Sequence, residues 1–472
     1  MTRITLYAFL FAIFFAATAS AEVKLPAVFN DHMVLQQQSE VAVWGWAKAG
    51  SNIQIIPSWD KKKYAAKTDA SGKWKTKITT PIAGGPYEIT FSDGVVKKLS
   101  NVLIGEVWLC SGQSNMEMPM KGFRGQPVSG SNDAILRSKN KNIRLFAVQR
   151  ASNIEPQEDC KGQWQEASPE AVAEFSATAY YFGRMLNEIT DVPVGLICVS
   201  WGGSCIQTWM SKNTATPYEN VKIPVKGDSI KVPNRTPTML YNAMISPIIS
   251  YGIKGCIWYQ GETNYKDPGQ YKKLFATMVN EWRSLWGGGD FPFYYVQIAP
   301  FNYVPTNTKG ANVNSAYLRE AQLKAMDTIP SSGMAVIMDI GEEKIIHPTN
   351  KELGGKRLAY WALAKTYGIK GFAYASPTYK EMSIKDTTII LSFDNAPNGL
   401  TSFGKELSCF EIAGADKMFY PAKASLRSKS VIVSAPQVKN PVAVRYAFKD
   451  FVVGDLFGTE GLPVSSFRTD EW

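Results

Sequence analysis

At 472 residues the chain exceeds what one hydrophobic core usually supports, so two or three folded units are expected. Apolar residues make up 45% and charged residues 19%, a balance that excludes a disordered chain. The net charge of +10 is scattered apart from Lys61-Lys62-Lys63, so a nucleic-acid groove is not indicated.

Residues 1–21 carry Arg3, an apolar run over 6–17 and a small-residue site at Ala19-Ser20-Ala21. This is the pattern of a cleaved signal peptide, and it predicts export to a periplasmic or secreted location. No later run is long enough to span a bilayer, so no membrane insertion is expected. The cysteines (110, 160, 198, 205, 256, 409) form no C-x-x-C pair. Export permits a disulfide, and Cys198 with Cys205 is the pairing to consider. With histidine present only at His32 and His347, zinc has few ligands, and neither a metal nor another cofactor is expected.

Residues 22–100 read as β: short runs at 41–44, 53–56, 74–78 and 87–91 alternate with Gly, Pro and Asp turns, as in a small sandwich. From about Asn101 the pattern becomes strand–helix alternation. Strands are predicted at 107–110, 194–199, 255–259, 293–298 and 334–340. Helical periods lie between them, with Phe175, Ala179, Phe182, Leu186 and Ile189 on one face. A second face carries Tyr271, Leu274, Phe275, Met278, Trp282 and Leu285, and helices are also predicted at 318–326 and 353–367. Repeated βα units predict a mostly parallel sheet over 101–370. Segments 120–165 and 211–238 read as long loops. After residue 371 the β pattern returns at 388–393, 409–412, 431–433 and 442–448, and this region is expected to pack beside residues 22–100.

In a parallel sheet the residues that follow the strands converge on one edge. Here they are Gly112-Gln113-Ser114-Asn115, Ser200-Trp201-Gly202-Gly203-Ser204, Gln260-Gly261-Glu262-Thr263-Asn264 and residues 341–347. Together they supply a hydroxyl, exposed backbone N–H groups, a carboxamide and an imidazole, the set that acyl transfer through serine needs. Ser114 is the candidate nucleophile. His347 is the candidate base by elimination, because His32 lies in the N-terminal β region, where a structural role fits better. The N–H of Ser114, an N–H of Gly202 or Gly203, and the Asn264 amide are candidate oxyanion donors. Gln113 and Glu262 are candidates for holding substrate.

These residues, with Trp258-Tyr259 before Gln260 and His347-Pro348, resemble the SGNH hydrolase superfamily. The narrower resemblance is to the sialate O-acetylesterase family and its acetylxylan-esterase relatives. Met33-Val34-Leu35-Gln36, Leu240-Tyr241-Asn242-Ala243-Met244-Ile245 and Phe467-Arg468-Thr469-Asp470 extend it over nearly all of the chain after the leader. It implies a flavodoxin-like SGNH hydrolase domain with a parallel sheet, inserted in or flanked by a β-sandwich domain. The implied activity is cofactor-free removal of O-acetyl groups from sialic acids of glycans, with Ser114 as nucleophile, His347 as base, and Gly202 or Gly203 with Asn264 in the oxyanion hole. The superfamily usually places Asp three residues before the His, where this chain has Lys344. The orienting acid is then Glu343, with Glu342 or Asp339 as alternatives, or else a backbone carbonyl holds the ring. A sialic acid carboxylate calls for an arginine, and Arg319 is the candidate. The competing readings are an acetylxylan or other polysaccharide acetylesterase and, in another class, a carbohydrate-binding protein with an inactive core.

Overall fold

The computed structural model describes residues 22–303 and 314–472, so the predicted signal peptide lies outside the described residues. A central sheet runs in the order Ser332–Ala335, Phe293–Val296, Gly255–Tyr259, Val96–Gly112, Val194–Ser200, Asn140–Ala147, Trp164–Ala167. Neighbours are parallel except the last pair, which is antiparallel. The strand at Asn140–Ala147 falls in a segment expected to be loop. Its first residues are Asn and Lys, and the apolar stretch behind them is short, but Ile143, Leu145 and Phe146 are buried against the sheet. The strand expected over 334–340 pairs only as Ser332–Ala335.

Val96–Gly112 organises the molecule. Its first part pairs antiparallel with Gly84–Ser92, and Leu103 to Gly105 lie parallel to Val34–Gln36. From Glu106 onward it pairs in parallel with Val194–Ser200, and from Trp108 with Gly255–Tyr259. The sequence changes character along this strand. Lys97 and Lys98 sit where one side meets solvent, whereas every residue from Val102 to Gln113 is buried. Half-exposed antiparallel pairing therefore gives way to pairing covered on both faces. The boundary expected at residues 100/101 lies inside this one continuous strand.

Alternate residues of the strand face opposite layers, as the pleat requires. Trp108 and Cys110 pack with the helices Ala177–Thr190 and Lys351–Trp361, while Val107 and Leu109 belong to the layer under Pro268–Trp286 and Ala316–Ala325. Three of these helices begin on a side-chain cap. Ser176, Asp267 and Asn350 accept the N–H of Ala179, Gln270 and Leu353, each removing one orphan donor. Ile189 and Leu285, assigned to the buried faces, are 52% and 41% exposed because each lies in the last turn of its helix.

The C-terminal region forms two antiparallel four-stranded sheets and a two-stranded ribbon. It was expected to pack beside residues 22–100, but its bonds anchor it to the α/β unit. Gln297 Nε2 donates to Ser465 Oγ at 2.9 Å, Phe301 N–H to the Asp450 carbonyl at 3.0 Å, and Gly454 N–H to the Met338 carbonyl at 2.9 Å. Arg319 is part of this anchor and does not face a cleft. It is fully buried, and its guanidinium donates to Ser466 Oγ and the Lys449 carbonyl. All six cysteines are free, including Cys198 and Cys205. Among the described residues no helix is long and apolar enough to cross a membrane.

Candidate active site

The turn that carries Ser114 is built by a steric requirement. Gly112 has φ +146°, and a Cβ there would lie 2.1 Å from the Tyr259 carbonyl oxygen, so only glycine lets the two strand ends approach. Gln113 then locks the turn to the neighbouring strand end. Its N–H donates to the Tyr259 carbonyl at 3.0 Å, and its Oε1 accepts the N–H groups of Gly261 and Thr263, both at 3.3 Å. Gln113 thus serves the loop geometry and is not open to substrate. Ser114 follows, half-buried, at the start of a single helical turn, Ser114–Glu117.

His347, 233 residues away in sequence, reaches Ser114 from the loop after the edge strand. Its Nε2 lies 2.7 Å from Ser114 Oγ. The other ring nitrogen, Nδ1, is bonded to Gln126 Oε1, and the Phe123 ring meets the imidazole edge-on at 5.4 Å. An amide oxygen only accepts, so this contact keeps the proton on Nδ1 and turns the Nε2 lone pair toward the serine.

The acid expected at this position is absent. Glu343 is exposed, Glu342 Oε1 accepts the Thr349 N–H at 2.9 Å, and Asp339 is held by Arg357 at 2.6 and 2.7 Å. Gln126 escaped sequence reasoning because a neutral amide in a Gly- and Pro-containing turn carries no charge or periodicity signal. Truncation to Gln126→Ala is expected to lower kcat by about tenfold to a hundredfold, since it frees the imidazole to rotate. Steady-state kinetics with p-nitrophenyl acetate checks this.

Burial, and next the Lys351 ammonium, pull His347 down to about 4. A base must be neutral to accept a proton, so kcat/KM is expected to stay level down to near pH 5. Below about pH 4 it should fall about tenfold per unit, a limb well under the ordinary histidine range. A pH–rate profile reads this directly.

Gly202 comes to the same place from the end of Val194–Ser200: a Cβ on it would be 3.3 Å from Ser114 Cβ. Its N–H, however, donates to Glu117 Oε2 at 2.8 Å, and Arg150 clamps that carboxylate through two bonds of 2.5 and 2.6 Å. Of the two glycines, Gly202 is therefore committed, and Gly203, in the left-handed region at φ +68°, is the candidate donor. Asn264 takes the Ile206 N–H at 2.9 Å and the Gln260 amide at 2.8 Å on its Oδ1, while Nδ2 contacts Gln207 Oε1 at 3.1 Å. With Oδ1 so fixed, the amide nitrogen is oriented and retains a second N–H.

Glu262, expected to hold substrate, is buried beneath the site and accepts Asn115 Nδ2 at 2.5 Å. Its burial raises the carboxyl above the usual range. His32 is remote from these groups in role: its Nδ1 contacts Asn101 Nδ2 at 2.8 Å and its carbonyl accepts Arg144. A guanidinium not foreseen from sequence, Arg235, lies exposed at the lip and donates through Nε to the Gly203 carbonyl at 3.3 Å.

A family model described as carbohydrate esterase, sialic acid-specific acetylesterase, matches residues 104–363. Sialate O-acetylesterase from Homo sapiens is 28% identical over 406 residues, covering 76% of this chain and 74% of that protein. The Pongo abelii sialate O-acetylesterase matches with the same identity and coverage, 28% over 406 residues, 76% and 74%. A crystal structure of a carbohydrate acetylesterase from Xanthomonas citri matches with TM-score 0.86 and 36% identity, over 96% of this chain and 100% of that one. Fold, site and relatives together define a carboxylic ester hydrolase. Within that class, the chain belongs to the carbohydrate esterase, sialic acid-specific acetylesterase family, and its function is that of a carbohydrate O-acetylesterase.

Proposed function

We propose that the chain is a serine esterase that removes O-acetyl groups from sialic acids of glycans through an acetyl-Ser114 intermediate. The observation that carries this reading is the 2.7 Å contact between Ser114 Oγ and His347 Nε2 at the converging strand ends. His347 takes the hydroxyl proton as Ser114 attacks the acetyl carbonyl. The N–H groups of Ser114 and Gly203 and the Asn264 amide receive the oxyanion. The sugar alcohol leaves with the proton from His347, and water activated by the same ring releases acetate. No step calls on a cofactor.

The sheet supports a flavodoxin-like SGNH hydrolase domain. When the extra edge strands Asn140–Ala147 and Trp164–Ala167 are set aside, the parallel order is 2-1-3-4-5, and Ser114 follows strand 1, where ligands bind in such sheets. We assign residues 22–100 and 371–472 to flanking β domains, the former a sandwich, with residues 1–21 as the leader for export.

Arg235 favours an acidic sugar, since its guanidinium stands exposed beside Gly203, whereas Arg150 is already neutralised by Glu117. Acetate release from O-acetylated sialoglycans and from acetylxylan tests the substrate. The reading expects the former to be preferred and Arg235→Ala to raise its KM about tenfold, with a smaller effect on acetylxylan. Preference for acetylxylan would make the chain a plant-polysaccharide esterase.

A further inference from the structure

Beneath Ser114 and His347 lies a polar cluster that the mechanism above does not use. Lys351, the first residue of its helix, is 2% exposed, and its Nζ donates to Asn115 Oδ1. Asn115 is fully buried and directly follows the nucleophile. Its Nδ2 makes two further bonds, to Glu262 Oε1 at 2.5 Å and to the carbonyl of Ile346, the residue before His347, at 3.1 Å. One carboxamide therefore ties together the turn that carries the hydroxyl, the third strand end and the loop that carries the imidazole. The ammonium of Lys351 fixes which way that carboxamide faces, because only its oxygen can accept from Nζ. Flipping it would break all three contacts.

We infer that Lys351 is a positioning residue, acting through Asn115 to hold Ser114 and His347 in register. The inference rests on the reading of Ser114 and His347 as nucleophile and base. Groups facing Lys351 are the carboxylates of Glu262 and Glu342 and the Tyr259 ring, 5.6 Å from Nζ. Those facing His347 are Ser114, the neutral Gln126 amide, the Phe123 ring and Lys351. The only charge acting on the imidazole from this set is thus the buried ammonium, which opposes a second positive charge beside it. Lys351 is a positioning group with an electrostatic side effect, and the two contributions are separable.

The experiment is the pH profile of kcat and kcat/KM on p-nitrophenyl acetate for the native chain, Lys351→Met and Lys351→Gln, with Ser114→Ala run in parallel. Lys351→Met removes both the charge and the donor. It is expected to move the acid limb up by about one pH unit and to lower kcat by about tenfold or more. Lys351→Gln removes the charge but keeps a donor for Asn115 Oδ1. It should share the shift of the limb while recovering most of kcat, a split that a merely structural lysine would not produce. Should the Met variant not fold, Lys351→Ala, which also lacks the donor to Asn115 Oδ1, takes its place beside Lys351→Gln. A kcat within twofold of native in the folded variant that lacks the donor overturns the inference, wherever its limb lies. If that happens while Ser114→Ala is inactive, the reading of the site stands and only the role of Lys351 falls. If Ser114→Ala is fully active, the underlying reading fails first.

Discussion

Ser114→Ala is expected to lower kcat for acetyl ester hydrolysis by about 10⁴-fold or more and to leave the fold intact. The substitution removes one oxygen, whose contact with His347 Nε2 is 2.7 Å, on a half-buried residue that opens a single helical turn. The turn itself is held by Gly112, Gln113 and Asn115, none of which is altered. Loss of the one hydrogen bond changes stability by about 1 kcal/mol, so circular dichroism and thermal unfolding should match the native chain. On the proposed mechanism, what disappears is the covalent route, while the Gly203 N–H and the Asn264 amide remain; only the slow residual reaction that an oxyanion hole sustains without its nucleophile is then expected. Activity retained within tenfold of native would mean that another group attacks the ester.

Gly112→Ala is expected to act on the fold, with loss of activity as a consequence. The added Cβ meets backbone, the Tyr259 carbonyl at 2.1 Å, and the strand ends cannot separate without breaking the parallel pairing of Gly112 with Ser200 and Tyr259. The positive φ adds strain that L-residues rarely tolerate. Together these should destabilise the chain by about 3 kcal/mol or more. A contrasting substitution lies at Gly354, inside the helix Lys351–Trp361, where a Cβ would meet nothing within 4 Å. Gly354→Ala is expected to stabilise by roughly 0.5–1 kcal/mol, so denaturant unfolding of the pair should give shifts of opposite sign.

Much of the site was legible because strand ends in a parallel sheet converge whatever their distance in sequence. The apolar run ending at Gly112 and the presence of only two histidines were enough to single out Ser114 and His347. What escaped were residues whose roles depend on partners far along the chain. Arg319, at the start of a helix, gives no sign in the sequence of which groups hold it, because its acceptors at Lys449 and Ser466 lie more than a hundred residues later. Asp339 reads as a free carboxylate at a strand end until Arg357 arrives from the following helix. Gln126 carries no charge at all, and its task is set by where the turn after Pro119 places it. The Asn140–Ala147 strand was hidden for a different reason: its apolar stretch is short and its start is polar, as suits a strand beyond the centre of the sheet.

The chemistry stands or falls on whether the acetyl group passes through Ser114. The direct measurement is mass spectrometry of peptides from the protein acid-quenched during turnover of p-nitrophenyl acetate. One acetyl group on the peptide that contains Ser114, absent in Ser114→Ala and removed on further incubation of the native chain, is the predicted result. An unmodified Ser114 peptide throughout turnover, or an acetyl group that forms equally on the Ser114→Ala chain, would contradict it.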